Sequence, residues 1–220
     1  MKKLIAITAS FMLTSSAFAG SFGVGVSGSI FNIEADVKEV TSSADALSGS
    51  DTHTGTTKHN MVPVPAVYAE YNSDIFGITL GVEHIPGSAD ISKNMQKRTE
   101  TPSSGQDSGS STDYKANASI ENVTTVYAEI PFGENLYIRG GYIELDVITD
   151  ESGVQSYGDG STEGINYGIG WKSGTDAGLN YKFSYEVIDL DTVSITGSSD
   201  HTVSGDIDTA GLKLSVGYNF

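Results

Sequence analysis

The chain of 220 residues contains no cysteine, which excludes disulfides, thiolate metal sites and thiol nucleophiles. Basic residues are scarce as well, since 12 lysines and arginines are outnumbered by 28 aspartates and glutamates. The resulting formal charge of −16 argues against nucleic acid or an anionic surface as a partner. A fold of this chain therefore has to be stabilised without covalent cross-links.

Outside the N-terminus the sequence also lacks long apolar runs. The chain opens with two lysines, an apolar run over residues 4–13 and small residues that end at Ala19, which is the arrangement of a secretory signal peptide. The apolar run has about half the length that a membrane-spanning helix needs. We therefore expect residues 1–19 to be a cleaved signal peptide and residues 20–220 to be one domain. Its charge becomes −18, because two lysines and no acids are lost.

Beyond residue 20, strand-forming residues recur at a spacing of two. Glycine (26 residues), serine, threonine and tyrosine are abundant, and no long stretch has a helical period. The pattern is strongest in residues 210–220, where every second side chain from Leu212 to Phe220 is apolar and those between are polar or small. This alternation predicts an all-β fold.

The same alternation predicts eight strands, joined by seven connections that alternate between long and short. The four long loops are expected at residues 38–61, 86–117, 149–163 and 192–207, and the three short turns at residues 72–74, 131–135 and 173–177. This rhythm is typical of an even-numbered, up-and-down antiparallel barrel, which places both chain ends on the same side. Past Tyr142 the alternation shifts, and this predicts either a bulge in the fifth strand or an extension of that strand beyond the membrane.

One face of nearly every predicted strand is apolar, and the other carries small, polar or charged residues. A soluble barrel would have the opposite arrangement, so the apolar face is expected to contact lipid. The charged side chains on the inward face are expected to form an interior network: Glu70, Glu83, Glu129, Arg139, Lys182, Glu186 and Lys213. Within it, Glu129 and Arg139 flank the second short turn and are expected to pair across that hairpin.

Aromatic residues gather near the strand ends that adjoin the short turns and the termini. They are expected to form an interfacial girdle, which consists of Phe22, Tyr71, Phe76, Trp171, Tyr181 and Phe220. Aromatic residues are also common in strands generally. Their concentration at one set of ends favours the girdle.

The predicted last strand carries Leu214, Val216, Tyr218 and Phe220 on one face and ends on an aromatic residue. With the eight-strand rhythm, it resembles the small eight-stranded bacterial outer-membrane barrels of the OmpA-like, OmpX-like and opacity-protein types. The resemblance covers residues 20–220. It implies an eight-stranded antiparallel transmembrane β-barrel in the Gram-negative outer membrane, with both termini periplasmic. It also implies that the four residues named above are read by the barrel-assembly machinery.

The resemblance implies a structural or surface-interaction role, with no enzymatic activity and no cofactor. The expected partners are the outer-membrane lipid, the assembly machinery and an extracellular ligand bound through the four acidic loops, and the expected state is a monomer. The alternative is a narrow, low-conductance channel through the charged interior. A plug of ion pairs is favoured over that channel, because eight strands leave an interior that side chains just fill.

Two further possibilities are weaker. A divalent cation could bind the acidic loops, but no contiguous ligand loop is present. Some eight-stranded barrels modify lipid A with a histidine and a serine near the outer rim. The histidines here are His53, His59, His84 and His201, and their spacing forms no recognisable triad. We therefore expect no metal site and no catalytic site.

Overall fold

The structure, a computed structural model, describes residues 20–40, 52–90, 96–100, 112–152, 158–197 and 202–220. The expected signal peptide, residues 1–19, lies outside the described residues. In the part of the chain that the structure describes, no helix is long and apolar enough to cross a membrane.

The described residues form eleven strand segments in one antiparallel sheet. The segments are β1 (Gly20–Val40), β2 (Thr52–Ser73), β3 (Thr79–His84), β4 (Ser88–Asp90), β5 (Gln96–Glu100), β6 (Thr112–Phe132), β7 (Leu136–Ser152), β8 (Gly160–Gly174), β9 (Leu179–Leu190), β10 (Val193–Thr196) and β11 (Thr202–Asn219). β3, β4 and β5 pair in succession with β6 and form one wall strand, and β9 and β10 pair in succession with β11. Because β1 also pairs with β11, the wall closes into a barrel of eight strands. The expected all-β, eight-stranded antiparallel barrel is confirmed.

One end of the barrel, here called the turn end, carries three short connections at residues 74–78, 133–135 and 175–178. Both β1 and β11 reach this end, where Phe220 N donates to Phe22 O at 2.8 Å and Phe22 N donates to Phe220 O at 3.3 Å. The first turn was expected at residues 72–74, with Phe76 in a strand. Phe76 instead lies in the turn with a φ of 59°, a conformation that does not continue a strand.

The opposite end, here called the hairpin end, is built of strands where the sequence predicted loops. The loop predictions at residues 38–61, 86–117, 149–163 and 192–207 are wrong in their bounds, because β1, β2 and β4–β8 continue into those ranges, as do β10 and β11. The physical reason is that these strand extensions are polar on their outward face. Because the outward residues of such a strand contact water, its composition resembles that of a loop.

Near the turn end the barrel has an apolar exterior. The outward side chains that are largely exposed there include Val24, Val26, Ile30, Val67, Ile130, Ile138, Ile165, Ile169, Phe183, Leu212, Leu214 and Val216. We call this band the apolar belt. The inward side chains at the same level, which alternate with the belt residues, are mostly small, polar, charged or tyrosine.

Towards the hairpin end this polarity inverts. The inward side chains form a buried apolar cluster of Ala35, Val123, Ile143, Leu145, Val147, Leu190, Ile195 and Ile207. The exposed outward side chains at this level include five acids: Asp36, Glu163, Asp189, Asp206 and Asp208. The hairpin end is thus arranged like a water-soluble barrel.

Of the two interpretations of the shift past Tyr142, the bulge in the fifth strand is wrong, and the strand is instead extended to Ser152. β7 keeps its alternation and its register with β8 to Val147, so that Ile143 and Leu145 simply continue the inward face. The irregularity lies in the facing strand β6, where the register shifts between Glu121 and Thr124. What changes along β7 is the chemistry of its inward face, which is charged or small at Arg139 and Gly141 and apolar from Ile143 onward.

Candidate functional site

The charged interior occupies the part of the barrel that the apolar belt surrounds. All seven residues expected to form it lie on inward faces and are buried, and Glu129 and Glu186 are 0% exposed. An eighth charged residue, Lys172, also faces the interior and is partly buried. The sequence-based set omitted Lys172, although the alternation of β8 placed it on the same inward face.

The four charges nearer the turn end form what we call the lower charged layer: Glu70, Glu129, Lys172 and Lys182. Lys182 Nζ lies 2.9 Å and 3.0 Å from the two carboxylate oxygens of Glu129, and it also contacts Glu70. Lys172 Nζ lies 3.8 Å from Glu129. Tyr127 Oη donates to Glu70 at 2.6 Å. This layer therefore joins four wall strands across the lumen.

The other four charges form the upper charged layer: Glu83, Arg139, Glu186 and Lys213. Lys213 Nζ lies 2.7 Å from Glu83 and 2.7 Å from Glu186. Arg139 approaches the same two carboxylates at 3.6 Å and 3.7 Å, and its guanidinium lies 3.5 Å from the centre of the Tyr127 ring. Two cations thus share two carboxylates.

The pairing expected between Glu129 and Arg139 is not the one found. The two residues are opposite each other in the β6–β7 register, but the ion pairs of Arg139 are with Glu83 and Glu186. Glu129 pairs instead with Lys182. The reason is geometric, because in a narrow barrel long side chains reach across the lumen to other wall strands.

Each charged layer contains two acids and two bases and is therefore electrically neutral. Burying an unpaired charge is costly, and a buried pair offsets that cost only when its hydrogen bonds are well placed. The additional donors and acceptors are supplied from within the lumen, as when Arg139 Nε donates to Asn166 at 3.1 Å and Ser184 Oγ donates to Glu186 at 2.8 Å. The acids and bases of each layer therefore compensate one another.

Inward tyrosines fill the space that inward glycines leave. In each case the ring lies against a glycine of a neighbouring wall strand, where a Cβ atom would collide with it. The pairs are Tyr68 with Gly25, Tyr127 with Gly81, and Tyr137 with Gly170. Tyrosines on one strand thus fill the space beside glycines on the next strand, and they narrow the lumen at the level of the charges.

A cavity of about 350 Å³ opens at the turn end. Its lining includes three residues of the lower charged layer, Glu70, Lys172 and Lys182, and four asparagines: Asn72, Asn135, Asn180 and Asn219. Asn180 Nδ2 donates to Asn219 Oδ1 at 2.9 Å, and Thr79 Oγ1 donates to Asn72 Oδ1 at 2.9 Å. The cavity ends at the lower charged layer.

The residues expected to form the girdle lie near the turn end. Phe220 and Phe76 are the most exposed, Trp171 and Tyr181 point outward, and Phe22 and Tyr71 are half-buried with ring centres 5.3 Å apart. The residues expected to carry the assembly signal, Leu214, Val216, Tyr218 and Phe220, all point outward. The exposed Phe132 at the same end was missed.

The histidines do not form one site in the described part of the chain. His59 is buried inside β2, and His84 is half-buried with Nδ1 3.2 Å from Thr124 Oγ1. His201 lies outside the described residues. Among the described residues, no three histidine, aspartate or glutamate side chains are grouped so that they could hold a metal ion. That the protein is not an enzyme stays a prediction.

A closed barrel with an apolar belt outside and paired charges inside defines a small transmembrane β-barrel. Residues 5–220 match the model of the outer membrane protein beta-barrel domain, and the chain belongs to that family. The outer-membrane, Gram-negative character expected from the resemblance is thereby confirmed.

Solved structures similar to this chain include one each from Escherichia coli, Pseudomonas aeruginosa and Yersinia pestis. Outer membrane protease OmpT from Escherichia coli has 8% identity and a TM-score of 0.48, with 91% of this chain and 97% of that chain covered. OprG from Pseudomonas aeruginosa has 12% identity and a TM-score of 0.47, with 92% and 97% covered. Ail from Yersinia pestis has 13% identity and a TM-score of 0.37, with 89% and 99% covered. No curated protein matches the sequence.

Proposed function

We propose that the protein is a closed, non-conducting outer-membrane barrel that carries a rigid strand extension at the cell surface for contact with extracellular partners. The observation that supports this most directly is that two successive layers of side chains obstruct the lumen. The charged layers obstruct it inside the apolar belt, and the buried apolar cluster obstructs it again towards the hairpin end. An aqueous ion path would have to cross both.

The proposed orientation places the turn end in the periplasm and the hairpin end outside the cell. Barrels of this class have short periplasmic turns and longer extracellular hairpins. The outward face beyond the apolar belt is acidic, so it suits water better than hydrocarbon. In this orientation the extracellular ligand would meet the hairpin end, whose described part consists of strand extensions.

Planar-bilayer recording tests the closed lumen. The folded protein is expected to give no discrete conductance steps. Steps that disappear in an Arg139→Ala variant would overturn the proposal in favour of a narrow channel, because Arg139 lies across the lumen in the upper charged layer.

Cysteine labelling tests the orientation. Because the chain has no native cysteine, only the introduced thiol can react with the label. Ser194→Cys in β10 and Thr175→Cys in the last short turn both place the thiol at an exposed position. A membrane-impermeant maleimide added to intact cells is expected to label the first variant and not the second. Permeabilised cells, in which both are expected to react, are the control. Labelling of Thr175→Cys alone in intact cells would reverse the orientation.

A further inference from the structure

Among the described residues, part of one edge of β2 has no strand paired with it. β2 pairs with β3 over six residue pairs, from Asn72–Thr79 to Val67–His84. It pairs with β1 as far as Thr52, whereas β4 and β5 pair with β6 alone. Among the described residues, no strand therefore pairs with this edge of β2 between residues 52 and 66. We call this gap between β2 and the β3–β5 wall strand the seam.

Two prolines explain why the ladder stops. If the β2–β3 register continued beyond Val67–His84, the second further pair would place Pro65 opposite Pro86. Neither residue has a backbone N–H, so this pair could exchange no hydrogen bond. Gly87 then bends the chain with a φ of 96°. The covalent structure at these positions ends the pairing.

The lower part of the seam lies at the level of the apolar belt. Pro65 is opposite Gly28 in β1, and Gly28 is opposite Leu214 in β11. Leu214 is 58% exposed on the outside of the barrel. Unpaired N–H groups are costly in hydrocarbon, and a proline is tolerated where no ladder bond is needed. The prolines therefore reduce the cost of a gap at this depth.

The inward face of β2 is accessible beside the seam. Val62 and Val64 lie on the same face as the buried Ala66 and yet are only half-buried. Their partners across the β1–β2 ladder are both 4% exposed: Phe31 opposite Val62, and Ser29 opposite Val64. The inward face of β2 is therefore less covered beside the seam than the inward face of the adjacent β1.

We propose that the seam is an intramembrane cleft that binds one acyl chain of a membrane lipid against the inward face of β2 at Val62 and Val64. The occupant is an acyl chain because the exposed surface there is apolar, the gap is beside the apolar belt, and its edges offer few donors. This inference adds a lipid-binding site to the proposed role at the cell surface. It does not depend on the lumen conducting ions or on the identity of an extracellular partner.

Fluorescence quenching by a brominated phospholipid tests the cleft, because bromine on an acyl chain quenches tryptophan only at close range. The chain has one tryptophan, so Trp171→Phe gives a silent background. Into it are placed Val64→Trp as the probe, Val67→Trp as the outward control and Phe31→Trp as the inward control. Phe31→Trp is a conservative change in the neighbouring strand.

In vesicles of dibrominated phosphatidylcholine, Val64→Trp is expected to be quenched about as strongly as Val67→Trp. Phe31→Trp is expected to be quenched much less. Quenching of Val64→Trp as weak as that of Phe31→Trp would overturn the cleft. Quenching by aqueous iodide in place of the bromolipid would also overturn it, since the gap would then hold water. A change in gel mobility on boiling shows that each variant is folded.

A second variant tests the role of the prolines. Pro65→Thr combined with Pro86→Thr restores two N–H groups and permits the ladder to extend. In the Val64→Trp background, bromolipid quenching is expected to fall towards the Phe31→Trp value. Undiminished quenching in a folded variant would overturn the assignment of the prolines as the stop of the ladder.

Discussion

Replacement of Lys213 by methionine removes the cation that joins the two carboxylates of the upper charged layer. Lys213 Nζ lies 2.7 Å from Glu83 and 2.7 Å from Glu186, and its side chain is 4% exposed. Methionine fills most of the same space and brings no charge. Arg139 stays near both carboxylates at 3.6 Å and 3.7 Å, so one negative charge is left uncompensated. Breaking a buried ion pair in this way costs about 3–5 kcal/mol.

The free energy of unfolding in phospholipid vesicles, measured by denaturant titration, gives the cost of the change. A matched control is Lys58→Met in β2, because Lys58 also pairs with a glutamate, Glu34, at 2.6 Å. The Lys58 side chain is 61% exposed, and an exposed pair contributes about 0.2–1 kcal/mol. Lys213→Met is therefore expected to destabilise the barrel several times more than Lys58→Met.

Adding Glu83→Gln to Lys213→Met restores a neutral layer of one arginine and one glutamate. The double variant is expected to be more stable than the sum of the two single changes implies, by about 0.5–3 kcal/mol, the usual range for residues in one network. Equal costs for Lys213→Met and Lys58→Met would refute the reasoning. Strict additivity of the Glu83 and Lys213 changes would refute it as well.

Two further changes probe the lumen and the belt by the same unfolding measurement. Gly170→Ala would drive a Cβ atom into the ring of Tyr137, and overpacking of this kind costs about 1–3 kcal/mol of the free energy of unfolding. The control is Gly140→Ala, whose Cβ atom would meet no other atom within 4 Å. Equal effects of the two substitutions would contradict the packing of Tyr137 against Gly170. Leu214→Arg is expected to cost about 2–4 kcal/mol if it lies near the bilayer midplane, whereas Asp208→Arg, beyond the belt in the same strand, is expected to cost little. A large cost at both positions would show that the membrane extends beyond the apolar belt to Asp208.

The position of the charged residues was predictable because strand alternation assigns each side chain to one face. That rule placed Lys213 and Glu129 inside without any knowledge of their partners. Which residues pair was not predictable, since it depends on reach across the lumen. Arg139 illustrates this, as its register partner is Glu129 and its ion-pair partners lie on other wall strands.

The extent of the strands was the larger error, and it also has a physical cause. Above the belt the outward residues contact water and are polar, so composition alone suggests a loop at residues 149–163. The inward residues Ile143, Leu145 and Val147 were visible as an alternating set, but their change of chemistry left a bulge and a strand extension as equal alternatives. They are the inward face of a strand that continues beyond the apolar belt.

The inversion of polarity along each wall strand constrains the register from both ends. A slip of one residue turns every side chain to the other face. Near the turn end, such a slip would move Lys213 into the lipid and Leu214 into the lumen. Towards the hairpin end, the same slip would expose Ile143 and Leu145 to water and bury the outward acids. Both halves therefore favour the same register. The register of a barrel without cysteine can in this way be specified along its whole length by one alternating pattern. The apolar face of that pattern points outward in the apolar belt and inward beyond it.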